Sequence, residues 1–209
     1  MPLILTPDYF NRPTLTVARS LIGKHLVREM KQGAVVGKII EVEAYVGTED
    51  KACHASKGRT ARTEILFGPP GISYVYLIYG MYHMLNVVTE RVDFPAAVLI
   101  RAIEVDGKLI DGPGKLCREL GIDRSLHQID MTAGRSIWFE DRGSRVISKK
   151  IETFPRIGVD YAGLWAKKPW RFRLIEEGRV TSRCGRKDKE EGKSLQRTSP
   201  SSISSSNTG

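Results

Sequence analysis

Apolar positions in this chain fall in short runs, most with the two-residue period of a half-buried strand, broken by glycine, proline and charged residues. Residues 24–30 (KHLVREM) and 34–46 (AVVGKIIEVEAYV) read as two strands joined at Lys31-Gln32-Gly33. Ahead of them, residues 14–21 predict a short helix, with Asn11 as N-cap, Pro13 near the first turn and Gly23 as the stop. A polar, basic stretch follows at 47–62, then a helical patch at 63–67 that the Gly-Pro-Pro-Gly run at 68–71 ends. SYVYLIYGMYHMLNVV, rich in aromatic and β-branched residues with Gly80 near its middle, predicts a hairpin with arms at 74–79 and 82–88. Residues 96–105 (AAVLIRAIEV) are apolar enough for a central strand. A short helix at 115–120 is introduced by Asp111-Gly112-Pro113-Gly114, and 136–140 and 170–175 predict later strands. Strands outnumber helices and seldom alternate with them. The expected class is α+β: a single compact domain with a mostly antiparallel or mixed β-sheet, flanking short helices and a protruding β-hairpin.

The pattern stops near Cys184. Beyond it there is no aromatic residue, only Leu195 and Ile203 as large aliphatics, and a serine-rich end. Such a segment buries too little apolar surface to offset its ordering entropy, so the expected organisation is a folded domain at 1–184 and a disordered tail at 185–209. Within the 209 residues no apolar run approaches the roughly 20 needed to cross a bilayer, and MPLILTPDYFNRP does not read as a signal peptide. A cytoplasmic setting is expected, nucleoid-associated in a bacterium and nuclear in a eukaryote. The three cysteines, Cys53, Cys117 and Cys184, are odd in number and widely spaced. They form neither a disulfide framework nor a CxxC zinc site, and each reads as an ordinary buried or half-buried thiol. No metal or cofactor is expected.

Charge narrows the partners. Lys and Arg number 33 against 24 Asp and Glu, a net charge of +9. Five basic and three acidic residues lie from Arg186 onward, so 28 and 21 belong to the body and the excess is mostly in the folded part. Such a balance favours polyanions, nucleic acid before membrane, because no basic amphipathic helix stands out.

Three features differ from generic core. In IIEVEAYVGTED, residues Glu41, Glu43 and Tyr45 share one strand face. Carboxylates on a strand flank are usually a solvated face, although a pair of them is also the equipment of a glycoside hydrolase. The hairpin tip carries Tyr79, Gly80, Met81 and Tyr82 where polar turn residues are the rule. It either packs against the domain or acts as an apolar wedge between base steps. The loop HASKGRTAR, with Lys57, Arg59 and Arg62, suits phosphate contacts but equally a solvated loop. His54 reads as an acid–base group or as an orienting hydrogen-bond partner.

Taken together and in order, EVEAYVGTEDKACHASKGRTAR, LFGPPGISYVYLIYGMYHMLNVV, AAVLIRAIE, DGPGKLCRELGI and RIGVDYAGLWAKKPWRF resemble the alkyladenine (3-methyladenine) DNA glycosylase family over most of residues 1–175. The resemblance implies a monofunctional enzyme that flips an alkylated or deaminated purine out of double-stranded DNA and hydrolyses its N-glycosidic bond, acting as a monomer. It makes Glu43 the base that activates water, and gives Arg101 and the backbone carbonyl of Ile157 the holding of that water. Tyr45, His54 and Tyr76 contact the flipped base, Asn86 disfavours the amino group of normal guanine, and Tyr79 fills the gap in the stack. Arg59, Arg62, Lys115 and, on the hairpin tip, Met81 and Tyr82 fall to the DNA backbone. No role falls to Glu41. The chain departs from the family at Ala61, usually proline, and at Leu164, often acidic. A non-catalytic nucleic-acid-binding module explains the charge and the hairpin but not Glu43 beside Tyr45. A carbohydrate hydrolase explains the carboxylates but not the basic loop.

Overall fold

The computed structural model describes residues 1–144 and 150–175, and the elements named here are those of these residues. The tail expected at 185–209, the 1–184 boundary and Cys184 lie outside them. The elements run β1 (Leu3–Ile4), α1 (Pro7–Phe10), α2 (Thr14–Leu21), β2 (His25–Met30), β3 (Gly33–Val46), β4 (Ser73–Ile78), β5 (Tyr82–Val88), β6 (Ala96–Val105), β7 (Lys108–Asp111), α3 (Pro113–Glu119), β8 (Ile137–Asp141), β9 (Ile151–Phe154) and β10 (Arg171–Leu174). Short 3-10 turns at His54–Lys57, Glu64–Phe67, Arg124–Leu126 and Asp160–Lys167 fill the connections.

The ten strands form one sheet in the order β1-β8-β2-β3-β6-β5-β4, with β10 on β3, β9 on β10 and β7 on β6. Every ladder among the described strands is antiparallel. With short helices alongside it, this is the α+β architecture expected. Long β3 is the spine: its first half pairs with β2, and its second half is held between β6 and β10. Alternation divides the two faces of these strands. Val42, Ala44, Val98 and Ile100 enter the main core with Val17 and Leu21 of α2 and Leu116 of α3. Glu43, Tyr45, Ala97 and Leu99 point to the opposite face.

Helix α2 spans the expected Thr14–Leu21, but its cap is not the expected one. Asn11 instead closes α1, its N–H on Pro7 O at 2.9 Å, and Pro13 occupies the N-cap of α2 without a side-chain cap. The first-turn donors are met from far along the chain: Thr14 N and Oγ1 donate to Glu90 Oε1 at 2.7 and 2.8 Å. Local sequence carries no trace of such a cap. The helix expected at 115–120 starts at Pro113, the usual first-turn site for proline, and ends at Glu119. Among the described residues no helix is long and apolar enough to cross a membrane.

Candidate active site

Strands β3 and β6 lose their simple register where the site begins. Ile39 faces Ile103, Glu41 faces Ala102 and Val42 faces Ile100, so Ile40 and Arg101 have no opposite number. Bulges of this kind re-aim side chains beside active sites. The Arg101 guanidinium here bridges two carboxylates, with Nε on Glu41 Oε1 at 2.9 Å and Nη1 on Glu43 Oε2 at 3.3 Å.

Glu43 is fully buried. Its Oε1 accepts the Ile157 N–H at 2.9 Å and its Oε2 accepts the Tyr45 hydroxyl at 2.8 Å. Burial lifts its carboxyl above the ordinary glutamate range, opposed by Arg101, the Ile157 N–H and the Tyr45 hydroxyl. The solvated strand flank that the sequence favoured is thus overturned for both acids: Glu41 is 1% exposed and Glu43 0%.

Around Glu43 opens a cavity of about 470 Å³, a size that holds a small organic ligand. Tyr45, His54, Tyr74, Tyr76 and Asn86 wall it. The rings are locked to one another: His54 and Tyr76 meet edge-on at 4.6 Å, Tyr74 and Tyr76 lie 5.1 Å apart, and His54 Nδ1 bonds the Tyr74 hydroxyl at 2.8 Å. Burial, with Arg62 and Lys57 adding to it, pushes the His54 imidazole down to about 4, so it is neutral near pH 7. Asn86 Nδ2 donates to Tyr74 O at 3.1 Å, which fixes the side chain's orientation at the wall.

The structure brings Glu43, Arg101, Ile157, Tyr45, His54, Tyr76, Asn86 and Tyr79 to one cavity. At the hairpin tip, Tyr79 and Gly80 both take positive φ (53° and 69°) and Met81 N–H donates to Ile78 O at 3.2 Å. Tyr79 is 82% and Met81 65% exposed. Tyr82 is partly anchored, because Gly114 approaches its ring so closely that a Cβ there would lie 3.0 Å from it. Arg62, expected on the DNA backbone, lies on the cavity wall, its guanidinium 5.4 Å from the Tyr76 ring centre. Arg59 does not line the cavity: it sits 4.3 Å over the Phe67 ring and pairs with Glu64 Oε1 at 3.0 Å and with Asp93. Lys115 is exposed in the first turn of α3, two residues beyond the cavity-lining Pro113. Ala61 and Leu164 are exposed and apart from the cavity.

Sequence reasoning missed the supports. Glu41, left without a role, accepts from Arg101, from Arg171 Nη1 at 3.3 Å and from Arg173. The signal was present as two period-two pairs, Glu-x-Glu on β3 and Arg-x-Arg on β10, which the register sets side by side. Asp50 and Arg156 form a fully buried pair at 2.6 and 2.8 Å. Arg156 also donates to Ala44 O, and its guanidinium packs 4.8 Å from the Tyr45 ring centre and 5.1 Å from that of Trp170. Its partner lies 106 residues away, so no local pattern reports the pair. Tyr161, 72% exposed, completes the mouth of the cavity. Cys53 and Cys117 are free and buried, and no group of three or more potential metal ligands occurs among the described residues.

A concave, aromatic-walled cavity with a buried acid in its lining has the shape and chemistry to take up a flat ring. Residues 8–178 match the family model of methylpurine-DNA glycosylase (MPG). Relatives bearing the name "Putative 3-methyladenine DNA glycosylase" include one from Methanocella arvoryzae, 52% identical over 185 residues covering 81% of this chain and 91% of the relative. Another, from Myxococcus xanthus, is 46% identical over 182 residues covering 85% and 93%. A third, from Anaeromyxobacter dehalogenans, is 48% identical over 173 residues, 81% of each chain. The chain belongs to the methylpurine-DNA glycosylase family, and is an enzyme of its class, a DNA N-glycosylase.

Proposed function

We propose that this enzyme extracts an alkylated or deaminated purine from double-stranded DNA and hydrolyses its N-glycosidic bond with water activated by Glu43. A glycosidic bond is hidden in the duplex, so flipping precedes chemistry. The flipped ring lies between Tyr45 on one side and His54 and Tyr76 on the other, while Tyr79 enters the vacated stack. Water oxygen bonds to the sugar C1′, its proton passes to the Glu43 carboxylate, and the C1′–N bond breaks with its electron pair leaving on the base. Help of this kind is typically worth about 10²–10⁴-fold. The Ile157 N–H orients the carboxylate, a role added to the water-holding one expected of its carbonyl. An alkylated purine such as 3-methyladenine or 7-methylguanine is cationic and departs readily, and tyrosine faces favour it. Neutral hypoxanthine and ethenoadenine depend more on the fixed donors of the wall. A water nucleophile leaves an abasic site with the strand intact, the first product of base excision repair, and one chain suffices for the work.

The observation that carries this reading is the fully buried Glu43 carboxylate at the floor of an aromatic cavity beside an exposed hairpin tip. The test is a duplex with a single hypoxanthine or ethenoadenine, incubated and then treated with alkali. Cleavage at the lesion only after alkali, lost in Glu43→Gln while binding persists, is expected. Base release by Glu43→Gln at the parent rate would overturn it.

A further inference from the structure

We propose that Glu41 is a positioning residue that governs the strength of the acid by holding Arg101 from behind, so that Arg101 meets Glu43 through one nitrogen only. This rests on the reading of Glu43 as the base. Arg101 has two carboxylates to choose from and is shared between them: Nε goes to Glu41 at 2.9 Å, and Nη1 reaches Glu43 at the longer distance of 3.3 Å. A guanidinium free to choose makes two parallel bonds to one carboxylate. Here that fork is divided. A bidentate Arg101 on Glu43 would occupy the lone pairs that must receive a proton from water and would strengthen the ionised form, weakening the base.

Glu41 can play this part because it is itself over-supplied with cations. Arg171 and Arg173 alternate on β10 beside β3 and both reach Glu41, and Arg173 also holds Asp111 Oδ2 at 3.2 Å. Glu41 is buried, and three guanidiniums reach its carboxylate there. The chain Asp111–Arg173–Glu41–Arg101–Glu43 thus runs from the surface end of β7 to the floor of the cavity. The groups that face Glu43 are Glu41 and Tyr45 on β3, Arg101 on β6, Tyr76 on β4, and Arg156 beside the Ile157 N–H. Arg171, opposite Glu43 in register, turns away to Glu41 and to Pro155 O at 2.8 Å. Among these neighbours Glu41 alone is a second acid, and its charge works against ionisation of Glu43.

Two substitutions therefore act in opposite directions. Glu41→Gln releases Arg101 to Glu43, so the acid limb of the kcat/KM profile on hypoxanthine-containing duplex moves down by about one pH unit, and kcat falls several-fold with KM little changed. Arg173→Gln, outside the cavity, leaves Glu41 less compensated; it draws Arg101 further back and the acid limb moves up. Titration of the Glu43 carboxyl carbon by NMR in the free protein must follow the same two directions. A structural role alone would lower thermal stability in both variants and move neither titration. If both fold and the Glu43 titration stays where it is, or moves the same way in both, the inference is wrong. Should Glu41→Gln fail to fold, Arg173→Gln decides. Should Glu43→Gln prove active while the titrations move as stated, the identity of the base is wrong and the positioning of Arg101 stands.

Discussion

Glu43 is held where its ionised form is costly, and that cost is visible as stability. Its folded carboxyl lies above the ordinary range because burial outweighs Arg101 and two hydrogen bonds. For a group raised in this way, its contribution to stability is fully present below the unfolded pKa of about 4.3. It is lost as pH rises through the folded value. Glu43→Gln is therefore expected to melt at a higher temperature than the parent at neutral pH while losing base excision, with the difference shrinking as pH falls toward about 4.3 and gone below it. Thermal melts over a pH series check this; a less stable variant at neutral pH would show that the ionised acid is well accommodated. His54 has the opposite sign. Its imidazole is depressed from 6.5 to about 4, so the stability it confers is complete above 6.5 and lost as pH falls through that window. His54→Gln should flatten the decline of the melting temperature between those values, and an unchanged slope would place the acid lability elsewhere.

At the scale of elements, the β4–β5 hairpin is where local rules are broken. Tyr79 takes φ 53°, in the left-handed region that a bulky residue enters at a cost of about 1–2 kcal/mol, and it is 82% exposed there. Strain of this type, with a large aromatic ring displayed to solvent, is what the proposed insertion of Tyr79 into the stack would use. Tyr79→Gly should thus leave the hairpin intact and slightly more stable, by about 1 kcal/mol. Binding to a lesion-bearing duplex should weaken toward the nonspecific level with an unchanged salt slope. Equal loss of both, in a titration at several salt concentrations, would assign Tyr79 to a plain surface contact. The two arms of this hairpin were legible because aromatic and β-branched residues frame a single glycine. The four-residue α1 and the strands β1, β7 and β9 were not, since two to four residues carry no period. The cap of α2 was misplaced on Asn11 because its true partner, Glu90, is 76 residues away.

On the scale of the whole molecule, the Asp50–Arg156 pair ties the 50–52 segment, the end of β3 and the Trp165 and Trp170 region to the loop that carries Ile157. Both side chains are 0% exposed, and removing one partner strands a buried charge. Asp50→Asn is expected to cost about 3–5 kcal/mol, read from denaturant unfolding. A loss under 1 kcal/mol would mean that Arg156 finds other acceptors. Most of the positive excess, 28 basic against 21 acidic residues, lies before Arg186. Removing the residues after Gly185 should leave excision nearly unchanged, and a large loss in a single-turnover assay would assign DNA contacts to that end.

What the sequence determined by itself is what repeats or stays local: the strand-rich α+β class, the spine strands β3 and β6, the hairpin with its aromatic tip, and, through ordered motifs, the family. Charge and periodicity are carried by neighbours, so they can be read along a line. What only the tertiary structure decided is how each acid is held. Glu41 and Glu43 stand two residues apart on one face and are equivalent in pattern. They differ because a bulge leaves Arg101 unpaired between them, because β10 brings Arg171 and Arg173 to one of them, and because the Ile157 N–H and the Tyr45 hydroxyl close on the other. Most of these partners come from chain positions 60 to 132 residues away. A buried charge takes its strength from whatever surrounds it in space, and no local stretch of sequence encodes that.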